Sequence, residues 1–305
     1  MRSLRLSSSR NTKVKDKGFN LPSVLAIHDL SCFGKCALTV IIPTLSAMGI
    51  QTVPIPTALL STHTGGFSGF YFEDLTDSMD KIAAHLQTVG MRADAVYTGF
   101  LGSEKQISTV MGIIDRFGER DGSGERPLIL VDPVMGDDGR LYSTYNNDMV
   151  EGVKRLCEKA DVITPNITEA CFLTGETIID TTDMSEKEAL AYGDRLAERL
   201  SSFGVRRIAI TGLHYGGNKV GTYGIDSSGS FICGAEHVKI SYPGTGDLFA
   251  SVLLGDLLRG RIFKEAIRSA SDFTRRVIEY SSHFDTPVRN GVAFEPFLSE
   301  LGNDR

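Results

Sequence analysis

The sequence predicts an α/β fold: a mainly parallel central sheet with helices on both faces. Three observations carry this. Short apolar runs of strand length alternate with helical segments along the 305 residues. One run, Pro127 to Asp132 (PLILVD), is continuously apolar, as a strand covered on both faces must be. The polar motifs fall just after strand ends, where open α/β sheets bind ligands.

The elements follow in order. Ser23 to His28 (SVLAIH) is the first strand. A helix is expected over Lys35 to Met48, with Pro43 inside it and Gly49 ending it. Gln51 to Leu60 reads as a strand whose prolines place it near an edge. Glu73 to Val89 and Glu104 to Phe117 have helical periodicity, with a strand from Asp94 to Thr98 between them. Asp121 to Arg126 is a polar loop before the apolar strand at Pro127. Tyr145 to Lys159 is helical, Asp161 to Thr164 a short strand, and Ser185 to Phe203 a long amphipathic helix. Val205 to Thr211 is a strand, and Lys219 to Ile225 with Ser230 to Lys239 form a hairpin across Asp226 to Gly229. Asp247 to Leu258 and Phe263 to Ser282 are helices. With no internal repeat and no long linker, residues 23–305 read as a single domain, and residues 1–22 as a disordered basic extension.

Composition narrows the classes. An apolar fraction of 41% and a charged fraction of 23% suit a globular protein, and no run approaches a membrane span. Residues 1–20 hold six basic residues against one acid, a net of +5; with −6 overall, the body carries −11. An acidic body argues against nucleic acid as partner. Five irregularly spaced cysteines argue against a disulfide framework and for reduced thiols. His28, Cys32 and Cys36 fall four apart, so a metal site is one reading and ordinary thiols the other.

Four motifs can carry chemistry. Gly244-Thr245-Gly246-Asp247 opens an apolar helix, so backbone amides and the helix dipole can hold an anion. Asp247 there is either a proton acceptor or the N-cap. Asn166 and Glu169, three apart after a strand, either face a hydrated magnesium ion or form a capping box. Asp132 ends the apolar strand in DPVMG and is either a magnesium or water-shell ligand or a turn former. Ser61 to Gly66 (STHTGG) is a hydroxyl-rich loop that can bond a polar ring or serve as an ordinary connection. The usual phosphate loops are absent: no Gly-x-x-x-x-Gly-Lys-Ser/Thr and no Gly-x-Gly-x-x-Gly opening a helix.

In this order the motifs resemble the ribokinase-like superfamily, and within it the pyridoxal/pyridoxamine kinases, from about Ser23 to Ser282. GTGD is shared across the superfamily, and DPVMG mainly with pyridoxal and hydroxymethylpyrimidine kinases. HDLSCFGKCALT, STHTGG and TGFLGS (Thr98 to Ser103) point to the vitamin B6 branch. The resemblance implies a three-layer α/β/α sandwich, a cytoplasmic homodimer, and ATP- and Mg2+-dependent phosphorylation of the 5′-hydroxymethyl group of a B6 vitamer. It implies Asp247 as base, with Gly244, Thr245 and Gly246 forming the anion hole. Asp132, Asn166, Glu169 and Thr211 would attend the nucleotide phosphates, with Asp132 and Glu169 at the metal. Asp29, Thr64 and Phe100 would contact the ring.

There are departures. Many pyridoxal kinases have Ser where Asp29 stands here, and Phe100 replaces a frequent Tyr. The loop Leu213 to Gly217 lacks the lid cysteine of some dual B6/pyrimidine kinases. Glycine content suggests mobile lids at Phe67 to Phe72 and Leu213 to Gly221. The rival readings are a hydroxymethylpyrimidine (phosphate) kinase, whose N-terminal GSD-type loop HDLSCFGK is not, a sugar kinase, and a non-catalytic B6- or nucleotide-binding protein. The intact GTGD weighs against the last.

Overall fold

The computed structural model describes residues 21–118 and 126–302. The expected basic extension lies outside them except for Leu21 and Pro22, as does most of the expected polar loop at 121–126.

The chain begins with β1 (Ser23–Phe33), α1 (Leu38–Ala47), β2 (Gln51–Thr62), β3 (Phe72–Asp74) and α2 (Thr76–Thr88). It continues through β4 (Ala95–Thr98), α3 (Glu104–Gly118), β5 (Leu128–Val131), a small ribbon of β6 (Gly136–Asp137) and β7 (Arg140–Leu141), and α4 (Asn147–Cys157). Then come β8 (Val162–Ile163), α5 (Ile167–Thr174), α6 (Glu186–Ser201), β9 (Arg207–Tyr215), β10 (Lys219–Asp226) and β11 (Gly229–Glu236). α7 (Thr245–Leu258), α8 (Phe263–Ser281) and two 3-10 segments, Val288–Asn290 and Glu295–Gly302, complete the described chain.

Nine strands form one sheet in the order β11-β10-β9-β8-β5-β4-β1-β2-β3. The six central strands from β9 to β2 run parallel, and β3, β10 and β11 add antiparallel edges. The buried strands alternate between two cores. Leu25 and Ile27 face a layer built from α2 to α6, while Val24 and Ala26 face α1, α7 and α8. The fold is therefore the three-layer α/β/α sandwich of the ribokinase-like superfamily, as expected.

Four details differ from the sequence reading. β1 does not stop at His28 but runs to Phe33, paired to β2 across a bulge between His28 and Leu30. The expected helix over Glu73 to Val89 begins only at Thr76, because Phe72 to Asp74 pair with Leu60 to Ala58 as an edge strand. The expected helix at Lys35 starts three residues later, since Lys35 and Ala37 have positive φ. The segment from Leu213 to Gly221, read as a loop, is largely paired strand of β9 and β10, with only residues 216–218 between them. Pro54 and Pro56 do sit on a stretch of β2 whose outer edge β3 leaves unpaired, which tolerates their missing N–H groups.

Candidate active site

β4 pairs with β1 only as far as Ile27, while β1 and β2 continue together to Phe33 and Thr62. The sheet therefore splits between β1 and β4, where the chain order also reverses. Ligands bind at such switch points. A cleft of about 2110 Å³ opens there and runs along the strand ends to α8. A pocket for one drug-sized ligand is about 300–1,000 Å³, so two substrates fit side by side. All eleven residues singled out from the sequence line it: Asp29, Thr64, Phe100, Asp132, Asn166, Glu169, Thr211, Gly244, Thr245, Gly246 and Asp247.

Asp247 does not cap α7. The cap is Gly244 at φ 80°, and no side chain bonds the first turn, so its amides stay available. Gly244 is required by space as well as by φ. A Cβ there would lie 2.1 Å from the carbonyl oxygen of Lys35. Asp247 reaches instead across to the loop before α1, where the Ala37 N–H donates to its Oδ2 at 2.8 Å. It is partly open to the cleft, yet burial pushes its carboxyl up to about 8; the Ala37 amide opposes this, and the charges of Asp132 and Asp29 add to it.

Asp132 and Glu169 are almost fully buried, 6% and 4% exposed. Asp132 accepts from the Thr164 hydroxyl at 2.9 Å. Glu169 accepts from the Met135 N–H at 3.1 Å and from the Asn166 N–H at 2.8 Å. Asn166 Oδ1 in turn accepts from the Glu169 N–H, so the capping box is formed, and its amide donates to the Gly136 carbonyl. Burial raises both carboxyls, and the charge of Asp132 raises Glu169 further. Among the described residues, the hydrogen bonds to the two carboxyls come from a hydroxyl and backbone amides. A buried acidic pair with oxygen donors around it and no cation among those partners fits a hard divalent ion, held partly through water.

At the other end of the cleft Asp29 sits at the β1 bulge, 7% exposed, and accepts from Ser31 Oγ at 2.8 Å. Burial raises its carboxyl despite that bond. Thr64 is exposed, and the Phe100 ring lies 6.0 Å from that of Tyr145. The Thr211 N–H donates to the Pro165 carbonyl at 2.9 Å, tying β9 beside Asn166.

His63 holds the loop from Ser61 to Gly66. The Gly65 N–H donates to its Nδ1 at 3.0 Å, so its proton is on Nε2, which donates to the Arg289 carbonyl at 2.7 Å. The metal reading of His28, Cys32 and Cys36 fails. His28 is buried in the sheet, its imidazole pushed down to about 3 by burial, while Cys32 is exposed. Among the described residues no cluster of three or more His, Cys, Asp or Glu can hold a metal. Sequence reasoning missed Ala37 and Ser31. Ala37 acts through its backbone, which leaves no trace in residue type. Ser31 was visible as the hydroxyl two residues beyond Asp29.

The sequence model described as phosphomethylpyrimidine kinase matches residues 32–290. The chain belongs to that family. A solved structure from Bacteroides thetaiotaomicron, described as a candidate phosphomethylpyrimidine kinase, is 37% identical, with 93% of this chain and 95% of that one aligned at a TM-score of 0.84. Its orthorhombic form, with pyridoxal, aligns at 0.82. The pyridoxal kinase of Deinococcus radiodurans is 28% identical over 80% of this chain and 82% of its own length. The hydroxymethylpyrimidine/phosphomethylpyrimidine kinase of Bacillus subtilis is also 28% identical, over 77% and 80%. The family thus spans two ring chemistries joined to one phosphoryl transfer.

Proposed function

We propose that this chain transfers the γ-phosphoryl group of ATP to the 5′-hydroxymethyl group of a vitamin B6 vitamer. The observation that carries the reading is the cleft itself. It brings a raised carboxyl, Asp247, at the open N-terminus of α7, into one cleft with the buried Asp29 and the buried acids Asp132 and Glu169. The relative that holds pyridoxal shares this fold over nearly the whole chain.

The chemistry follows from the residues. Asp247 accepts the proton of the substrate hydroxyl as the new O–P bond forms and the bond to the departing ADP oxygen breaks. A carboxyl near pH 8 is well matched to that transfer at neutral pH. The amides of Gly244 to Asp247 and the α7 dipole hold the transferring phosphoryl oxygens. Asp132, Asn166 and Glu169 would hold magnesium, largely through water, and Thr211 would meet the nucleotide phosphates. When bound, magnesium neutralises charge on the β- and γ-phosphates. Asp29, Thr64 and Phe100 orient the ring. The domain formed by residues 23–305 would act as a cytoplasmic homodimer; light scattering at twice the chain's mass tests the dimer.

The second reading is phosphorylation of a hydroxymethylpyrimidine, favoured by the family's own description and the Bacillus subtilis relative. An ADP-release assay with Mg-ATP, offering pyridoxal, pyridoxamine, pyridoxine and hydroxymethylpyrimidine, separates the two. Turnover on a vitamer supports the first reading, and turnover on the pyrimidine alone replaces it with the second. Silence on all four with retained ATP binding would favour a non-catalytic binding protein.

A further inference from the structure

The loop between β1 and α1 has a backbone that does not hold itself in place. Gly34 stands at φ 107°, Lys35 at 46° and Ala37 at 49°. Of the three non-glycine residues at positive φ among those described, two are in this loop. Such residues persist only where the surroundings over-determine them. Ala37 is also the residue whose N–H meets Asp247.

The surroundings are unusually close. The Lys35 carbonyl fills the space that a Cβ on Gly244 would need. Gly291 packs against Gly34 and Lys35, where a Cβ would come within 2.8 Å of both. Lys35 Nζ pairs with Glu295 Oε2 at 2.8 Å and lies 5.6 Å from the centre of the Phe294 ring. Phe294 is buried in the core beneath α1, α7 and α8, and the neighbouring Ala293 N–H donates to Ser281 Oγ at 2.8 Å. The far side of this clamp is thus fixed to α8.

We propose that Lys35 and Glu295 are positioning residues for the phosphoryl transfer: their pair, seated on Phe294, holds the loop in the left-handed conformation that aims the Ala37 N–H at Asp247. The inference rests on Asp247 acting as the proton acceptor. It adds a role for the segment after α8, which touches no reacting atom. With Oδ2 held by Ala37, Oδ1 is the oxygen left to face the substrate hydroxyl. The amide also favours the ionised carboxylate, against burial and the charges of Asp132 after β5 and Asp29 on β1; the uncharged Tyr97 on β4, Cys36 in the loop itself and Tyr142 after β7 also face Asp247, whose charge raises all three.

The test uses the full-length protein carrying Lys35→Ala, Lys35→Arg or Glu295→Gln, with Asp247→Asn as control. Measured are kcat and both KM values, the pH profile of kcat, and the thermal midpoint. A partly exposed ion pair shifts an equilibrium by up to about five-fold, and its seat on an aromatic face adds to that. The expected result is a kcat lowered about three-fold in Glu295→Gln and about ten-fold in Lys35→Ala. Both KM values should stay within about two-fold, and the acidic limb of the profile should move to higher pH; Lys35→Arg should restore most of the rate. If Lys35→Ala fails to fold, the isosteric Glu295→Gln carries the test with Lys35→Arg. An unmoved kcat and pH limb in the folded variants, with Asp247→Asn inactive, would overturn the proposal and leave the base assignment standing. A rise in KM at constant kcat would also overturn it. Full activity in Asp247→Asn would instead remove the base assignment on which it rests.

Discussion

Replacing Asp247 by Asn should make the protein inactive and more stable at once. The amide oxygen of Asn can still accept from the Ala37 N–H, so the geometry is kept and only proton acceptance is lost. That is worth about 10²–10⁴ in kcat. The stability effect comes from the same carboxyl. Its ordinary value of 3.8 is raised to about 8 by burial, so the folded state binds a proton that the unfolded state has released. The sign is therefore a loss of stability as pH rises between those values. At 1.36 kcal/mol per unit, taking up that proton on folding at pH 7 costs up to about 4 kcal/mol. Solvent in the cleft screens part of it, which leaves about 1–3 kcal/mol. Asn needs no such proton. Thermal melts of the ligand-free protein should show the variant a few degrees above the parent at pH 8 and level with it below pH 4. A variant melting below the parent at pH 8, or turning over at the parental rate, would refute the reasoning.

Three further outcomes are expected. Gly244→Ala places a Cβ 2.1 Å from the Lys35 carbonyl at φ 80°, so the anion loop must shift by about 1 Å; kcat should fall about 10²-fold in steady-state assays. Asp29→Ser removes a buried carboxyl from the ring recess and should raise relative turnover of the aldehyde vitamer over the amine and alcohol forms by several-fold; an unchanged ranking in the side-by-side assay would leave Asp29 without a part in selection. Asp132→Asn removes one acid of the buried Asp132–Glu169 pair and should raise the magnesium concentration for half-maximal rate about ten-fold or more, read from a metal titration.

The layers were legible because β1, β5 and β9 carry apolar runs too continuous for surface strands, with amphipathic helices between them. β3 was not. Phe72, Glu73 and Asp74 are all exposed, so no alternation marks them, and only their pairing with β2 makes them a strand. The β9–β10 hairpin was not read as strand because its glycines suggest a loop, while only Gly216 and Gly217, at positive φ, serve its turn. Within the site, motif spacing pointed to residues that the fold gathers into one cleft. What spacing could not give was which reading of each acid applies locally. Gly244 takes the cap and leaves Asp247 free to reach Ala37, whereas Asn166 and Glu169 do form their box. A backbone amide 210 positions away has no sequence signature.

The distances along the chain have a consequence in time. Lys35 and Glu295, which meet at the loop between β1 and α1, are 260 residues apart. At about 5–20 residues per second, roughly 15–50 s of synthesis separates them on the ribosome. Asp29 is translated near the start, but the loop next to it has neither α7 nor Phe294 to lean on until almost the whole described chain has emerged. Contacts of such long range also form late in folding, because their loop-closure entropy must be met first. On the proposed role of Lys35, the pair that positions Asp247 closes only after the segment following α8 has been made.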